Sequence, residues 1–383
     1  MTVKAGARFF FQKAERNSGH SAAAEAPLNF HRRLPAYVPT PLIDAPVLAR
    51  LLGIRQVLVK DESGRFGLPA FKILGASWAV YRALESRVSG TFEPWRTLDE
   101  LAPKLTPLRP LTLATATDGN HGRAVAHVAA LFGLGARIFV PAGTARSRID
   151  AIASEGAQVE VVDGTYEDAV ERAARESGDR CLVISDTSWP GYEAIPHWVM
   201  EGYSTIFREI DAELTWRGEE MPDLFPVPFG VGSLAAAVVR HYPAGVPKIV
   251  AIEPLRAACA LASMEVGEIV TIPGPHDSIM AGLNCGRVSL IAWPIISRGI
   301  DAFLAISDER AREAMRALAR IGIVAGETGA AGLAGLIELL NGDSTNRAAL
   351  DLNEKTRALI LVTEGATDPE SYQRIVGLQT LKP

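Results

Sequence analysis

An α/β fold of two open, twisted, mostly parallel sheets with helices on both faces is the class this sequence predicts, and three observations predict it. Short apolar runs alternate with helix-length stretches from 111 to 185 and again from 224 onward, with brief connections; that rhythm belongs to parallel strands joined by crossover helices. A chain of 383 residues, 48% of them hydrophobic, is long enough for two cores. No segment repeats at a fixed period, which excludes a solenoid. The expected division is a large domain from 1–75 and 192–383, with a smaller α/β domain, 76–191, inserted into it.

Residues 1 to about 40 read as an irregular, extended lead-in punctuated by Pro35, Pro39 and Pro41. Residues 56–60 form a strand, followed by a polar, glycine-bearing loop over 61–67 and a helix carrying Lys72 through Leu84. Four prolines among polar residues mark 88–110 as an excursion. Strands are then expected at 111–115, 136–140, 158–162 and 181–185, with helices at 121–132, 146–155 and 166–176 between them. A helix at about 194–211 leads into strand 224–229, helix 233–241 and strand 248–252. Helices at about 307–320 and 328–341 precede the closing strand, 357–362. Ligands are expected beyond the carboxyl ends of such strands.

The net charge of −5 gives no electrostatic reason to bind nucleic acid or an anionic membrane. No apolar run is long and uncharged enough to span a bilayer, and the N-terminal stretch lacks the apolar core of a secretory signal. Cys181, Cys259 and Cys285 are widely spaced, without a CxxC or Cys/His cluster; reduced thiols in a cytoplasmic protein, and no structural zinc, are the expectation. His197, His241 and His276 show no ligand spacing, and the absence of HExxH and G-x-S-x-G sets aside metalloprotease and α/β-hydrolase chemistry.

Lysine is scarce: eight against thirty-one arginines. Lys72 is set between Phe71 and Ile73-Leu74 with no acidic residue beside it in sequence. Burial lowers a lysine pKa, and the free amine is the form that attacks an aldehyde; a lysine snorkelling off an amphipathic helix is the plainer alternative. Thr117-Asp118-Gly119-Asn120-His121-Gly122 joins a strand to a helix, where amides face an anion and Asp, Asn and Thr also serve as caps. Gly230-Val231-Gly232-Ser233 likewise opens a helix after a strand. It is not a Walker loop, but with Glu253 ending the next strand it fits a dinucleotide fingerprint, so a nicotinamide dehydrogenase is a rival on this window. The loops 185–192, 326–330 and 363–368 also follow strands or open helices, and Glu327 suits a helix start.

Taken together, these windows resemble the fold-type II pyridoxal-phosphate (PLP) enzymes, the tryptophan synthase β and threonine dehydratase superfamily, and within it the diaminopropionate ammonia-lyases. The words that carry the resemblance are residues 65–72, 116–123, Asp186-Thr187 with Gly191-Tyr192, 278–286, and Thr363-Glu364-Gly365 with Thr367-Asp368-Pro369, covering about 36–372 in family order. The resemblance implies that Lys72 bonds the cofactor and then acts as base at the substrate α-carbon. Asn120 would bond the ring hydroxyl, the amides of Gly230, Val231, Gly232 and Ser233 the phosphate, and Thr363 would face the pyridine nitrogen. Asp118 would serve as base for the opposite α-enantiomer and pair with a second substrate ammonium. Asp186 would hold the β-amino group, and Ser77, Thr117, His121 and Tyr192 would line the substrate site.

The implied reaction is α,β-elimination from 2,3-diaminopropionate to pyruvate and two ammonia by a homodimer. Ser233, Ala366 and Asn284 depart from the family pattern, which keeps a serine/threonine dehydratase or a β-replacement enzyme as the first rival. A catalytically silent binding relative is another, opposed by the presence of both Lys72 and Asp118.

Overall fold

Eleven strands form among the described residues of this computed structural model, which are 7–16, 25–242, 245–342 and 344–377. They are β1 (Arg8–Phe11), β2 (Leu42–Asp44), β3 (Gln56–Asp61), β4 (Thr112–Ala116), β5 (Gly135–Pro141), β6 (Gln158–Val162), β7 (Cys181–Val183), β8 (Leu224–Pro228), β9 (Lys248–Pro254), β10 (Ala302–Ile306) and β11 (Arg357–Val362). They make two sheets, one in each of two compact units.

The larger unit comprises the described residues within 1–20, 40–64 and 207–383. Its seven-stranded sheet runs β1-β10-β9-β8-β11-β3-β2, parallel except for antiparallel edge strands β1 and β2. The inner strands are buried on both faces, as a parallel sheet requires. Val59, Val250, Ile252, Leu304 and Ile360 pack into one core with helices Asp308–Arg320 and Ala331–Asn341. On alternate residues Phe225 points the other way, toward Phe207 and Tyr242. The lead-in is not wholly irregular: Phe9–Phe11 add an edge strand to β10, itself missing from the sequence reading, and Ala26–His31 is a helix. The rest of that lead-in, 1–6 and 17–24, lies outside the described residues.

The smaller unit comprises the described residues within 21–39 and 65–206. Its sheet runs β6-β5-β4-β7, all parallel. Ala114, Ala116, Phe139 and Val183 face Ala169 and Ala173 of helix Tyr166–Ala174, which starts on a Thr165/Asp168 capping box. The sequence reading drew this domain over 76–191; the contact division instead falls at 64/65 and 206/207 and adds 21–39. Aromatic packing explains the addition, since the Phe30 ring lies 4.8 Å from Tyr81 and 5.9 Å from Trp95. Helix packing explains the other shift, because a Cβ on Gly202 would fall 2.4 Å from the Leu74 carbonyl oxygen. Helix Lys72–Glu85 and helix Ala194–Gly202 therefore touch backbone to backbone. The excursion at 88–110 holds helix Leu98–Leu105 and is pinned by Trp95 Nε1 donating to the Tyr81 hydroxyl at 3.2 Å.

Each sheet has a switch point where its order of strand addition reverses. The chain moves outward from β4 to β5 and β6, then returns to place β7 on the other side of β4. In the larger sheet it moves from β8 to β9 and β10 and returns to insert β11 beside β8. Such switch points open crevices at the carboxyl ends of the strands, and all four strands that flank them lead into loops picked out from sequence.

Candidate active site

In the smaller unit, Lys72 is the first residue of its helix, and its Nζ donates to Asp186 Oδ2 at 2.7 Å. Asp186 stands 114 residues away in sequence, three residues past the end of β7. The expectation of an amine lowered by burial with no acid at hand is therefore corrected. Burial is the largest single influence and pushes the Lys72 pKa down, but the charge and hydrogen bond of Asp186, together with Tyr203 and Asp118, leave it raised. Burial likewise pushes Asp186 up, yet the Lys72 ammonium holds its carboxyl at about 2. Side-chain exposures of 23% for Lys72 and 8% for Asp186 keep water from weakening the pair.

The turn after β4 comes to the same place, as the switch between β4 and β7 requires. Asp118 lies within electrostatic reach of Lys72 and favours its ammonium. His121 is buried, and its Nε2 is 2.8 Å from the Ile184 carbonyl oxygen, which can only accept. Nε2 therefore carries the proton, and Nδ1 is a buried acceptor with no partner among the described residues. Burial lowers the His121 pKa, with Lys72 adding to the effect and Asp186 opposing it, so the ring is neutral near pH 7. Thr117 Oγ1 accepts from Gly119 N at 2.9 Å and shapes the turn. Gly122 has no space for a side chain: its Cβ would fall 2.2 Å from Thr117 Cγ2. Asn120, half-buried, opens helix Asn120–Phe132.

Two expected substrate contacts are turned elsewhere. The Tyr192 hydroxyl donates to the Val183 carbonyl at 2.7 Å and accepts from Ser185 N at 2.9 Å, so it braces the turn that carries Asp186. Ser77 is fully buried, and its hydroxyl donates back to the Leu74 carbonyl at 3.4 Å. Two tyrosines that sequence reasoning missed do reach the pair. The Tyr166 hydroxyl is 3.5 Å from Asp186 Oδ1, and Tyr203 is within electrostatic reach of Lys72. Tyr166 follows Asp163-Gly164-Thr165 at the end of β6 and opens a helix, so the same strand-end signal was present there; Tyr203 follows Gly202 between two helices, away from any strand end.

In the larger unit, the turn after β8 opens helix Ser233–His241, whose first amides have no intrahelical acceptor. Gly232 adopts φ +100°, and a Cβ there would meet Phe229 Cζ at 2.8 Å. A Cβ on Gly230 would meet the Gly282 carbonyl oxygen at 3.1 Å, which places the 278–286 loop against this turn. Gly282 N donates to Thr328 Oγ1 at 3.1 Å, Thr328 N to Glu364 Oε1 at 3.2 Å, and Thr363 Oγ1 to the Thr328 carbonyl at 3.4 Å. Four windows singled out from sequence thus form one connected patch. Asn284 spends its amide on the Ser278 carbonyl at 2.8 Å, and Asp368 caps the last helix through Ser371 N. Glu253, offered above to a ribose, is fully buried and accepts from Ala260 N and Leu261 N at 2.7 and 2.9 Å. Burial pushes it up to about 8. It is a helix cap, and the dinucleotide reading loses its acid.

These parts fit PLP: a primary amine beside acids, a helix N-terminus whose glycine cradle a Cβ would fill, and a buried neutral hydroxyl at Thr363. Residues 33–364 match the family described as "Pyridoxal-phosphate dependent enzyme", which defines the class. The diaminopropionate ammonia-lyase of Salmonella typhimurium LT2 is 36% identical over 378 residues, spanning 94% of this chain and 92% of that protein. The Escherichia coli diaminopropionate ammonia-lyase in complex with D-serine superposes with a TM-score of 0.89 at 32% identity, over 97% of this chain and 96% of that one. The same enzyme in complex with an aminoacrylate-PLP azomethine reaction intermediate gives 0.87 at 33% identity, with the same coverage. The chain belongs to the PLP-dependent ammonia-lyase family.

Proposed function

We propose that this enzyme eliminates the β-amino group of 2,3-diaminopropionate, yielding pyruvate and two ammonia. The observation that carries the reading is the presence of two carboxylates around one lysine, Asp186 at 2.7 Å and Asp118 within electrostatic reach. The α-amine is the group that would join the cofactor, so the β-ammonium is the cation left for these carboxylates to hold. Serine and threonine, with a neutral β-hydroxyl, offer none.

When bound, PLP supplies the electron sink that makes the substrate α-proton removable. Lys72 would hold it covalently, Asn120 would serve its ring hydroxyl, and the amides of Gly230, Val231, Gly232 and Ser233 its phosphate. Thr363 would serve the pyridine nitrogen. A neutral hydroxyl there would not require that nitrogen to carry a proton, which would suit the site to elimination. Lys72 takes the α-proton of one enantiomer and Asp118 that of the other. The D-serine complex of the E. coli relative supports a site that admits the D form. Asp186 exchanges the Lys72 ammonium for the β-ammonium and never stands unpaired. The nitrogen leaves as neutral ammonia only if it keeps its protons until the bond breaks. A carboxyl held at about 2 binds it without taking one. His121 Nδ1 is a second, neutral acceptor for the same group, and the Thr117 hydroxyl can still donate to the α-carboxylate. The 2-aminoacrylate released hydrolyses to pyruvate and the second ammonia.

Pyruvate release from L- and D-2,3-diaminopropionate, serine, threonine and O-acetylserine tests this. Diaminopropionate is expected to lead in kcat/KM by about a hundredfold or more, as for a site whose buried polar groups need a matching partner. Comparable turnover of serine or O-acetylserine would put the dehydratase or β-replacement reading in its place. Asp118→Asn should cost one enantiomer about 10²–10⁴-fold and the other far less; equal losses would make Asp118 a binding residue only. Sedimentation of the holoenzyme tests the homodimer that the resemblance implies.

A further inference from the structure

Tyr203 is completely buried, and its hydroxyl closes no well-formed hydrogen bond among the described residues although it lies within interaction range of Lys72. A buried polar group without such a bond is rare enough to call for a cause. Its ring lies 4.7 Å from that of Phe71, and its Cε1 is 2.6 Å from where a Cβ on Gly75 would stand. Phe71 precedes Lys72 and Gly75 follows one turn later, so the phenol sits under the turn that carries the lysine. Lys72 Nζ is 5.4 Å from the Phe71 ring centre. Burial drives the Tyr203 pKa up, with the Lys72 charge opposing it, and the phenol stays neutral at any working pH.

We propose that Tyr203 is a positioning residue that holds Lys72 once Asp186 has turned to the substrate. The inference rests on the diaminopropionate reading above, which gives Asp186 two successive ammonium partners. Asp186 Oδ2 now takes Lys72, and Oδ1 is within 3.5 Å of Tyr166. When the β-ammonium claims Asp186, the lysine nitrogen needs another acceptor in a site with little water. The phenol oxygen of Tyr203 lies under the lysine's own turn and is not otherwise used. A carboxylate would lock the proton onto Lys72; a neutral phenol accepts from the ammonium formed after α-proton removal and lets that proton move on.

Tyr203→Phe keeps the ring and removes only the hydroxyl's contact with Lys72. The PLP-stripped variant should therefore unfold thermally at the wild-type midpoint or above it. With diaminopropionate, kcat of the holoenzyme should fall about ten- to a hundredfold, the scale of a misplaced catalytic group, with KM nearly unchanged. With O-acetylserine, which brings no β-ammonium, the variant should match wild type in whatever turnover it has. Covalent uptake of PLP by stripped protein, followed by absorbance, should shift its pH dependence downward because the ammonium has lost a stabiliser. A lowered midpoint would show a structural hydroxyl and overturn the proposal, as would wild-type kcat on diaminopropionate. Wild-type protein that releases no pyruvate from diaminopropionate would sink the substrate reading instead.

Discussion

At the switch point of the four-stranded sheet the loops carry charge. Asp118 and Asp186 surround one ammonium, and a neutral imidazole stands beside them. At the switch point of the seven-stranded sheet they carry backbone: a glycine turn at a helix N-terminus, a chain of amide and hydroxyl contacts, and a neutral threonine. The first region can move protons and bind cations; the second can hold an anion and stay still. A substitution in the charged loops should therefore change pH profiles and substrate choice. One in the backbone loops should change how much cofactor stays bound.

The largest expected effect is that of Lys72→Ala. On the proposed roles it removes the covalent tie and the base together, so the PLP absorbance of the joined form should vanish and turnover should fall at least about a thousandfold. A covalent PLP signal in that variant would overturn the assignment. The same change strands a buried carboxylate at Asp186, for which losses of about 3–5 kcal/mol are typical. Urea unfolding of PLP-stripped protein measures that cost.

Gly329→Ala tests the other region. Its Cβ would fall 2.1 Å from the Glu364 carbonyl oxygen, next to Thr363, and backbone atoms yield poorly. A cost of about 1–3 kcal/mol in stability and a weaker hold on PLP are expected, with the pH profile of the remaining activity unchanged. A shifted profile would show that the backbone patch also tunes proton transfer.

The charged region also makes a prediction in pH. On the proposed role Lys72 must lose its proton before bonding the cofactor, and Asp186 raises its pKa. Covalent uptake of PLP by stripped wild-type protein should thus quicken about tenfold per unit through neutral pH. In Asp186→Asn burial is left to dominate, the lysine pKa falls, and uptake at pH 7 should be faster. Slower uptake would mean that the carboxylate delivers the amine rather than restraining it. In acid the depressed Asp186 pKa matters: the pair's contribution is complete above about pH 4 and lost as pH falls toward 2. Asp186→Asn should flatten that limb of the stability curve.

Much of this was legible because strand-end loops announce themselves through glycine and polar residues between apolar runs. The turns at 117–122, 230–233 and 363–368 were read that way, and the alternation that frames them gave the sheets. Pairings between distant segments were not legible. The acid that pairs with Lys72 comes from a turn brought beside the β4 loop only when β7 takes its place in the sheet. Strand β10 was missed: it is only five residues, and its alanine-rich run Ala302–Ile306 reads weakly as a strand although Gly299, Asp301 and Ser307-Asp308 flank it. Glu253 looked like a ligand because spacing alone does not show that two helix amides already occupy it.

The smallest effect expected is at Tyr192, and it separates a brace from a contact. Its hydroxyl bonds the Val183 carbonyl and Ser185 N, one residue before Asp186. Tyr192→Phe leaves both backbone groups short of a partner, at a cost of about 1–3 kcal/mol. The ring remains stacked on Trp189, 4.1 Å away, so the loop should stay folded but less firmly placed. Asp186 should then hold the β-ammonium less well, and KM for diaminopropionate should rise a few-fold with kcat nearly kept. For O-acetylserine, which does not need Asp186 in that role, KM should not move. A matching rise for both substrates would mean that Tyr192 touches what they share, the α-amino acid group, and that the brace is incidental.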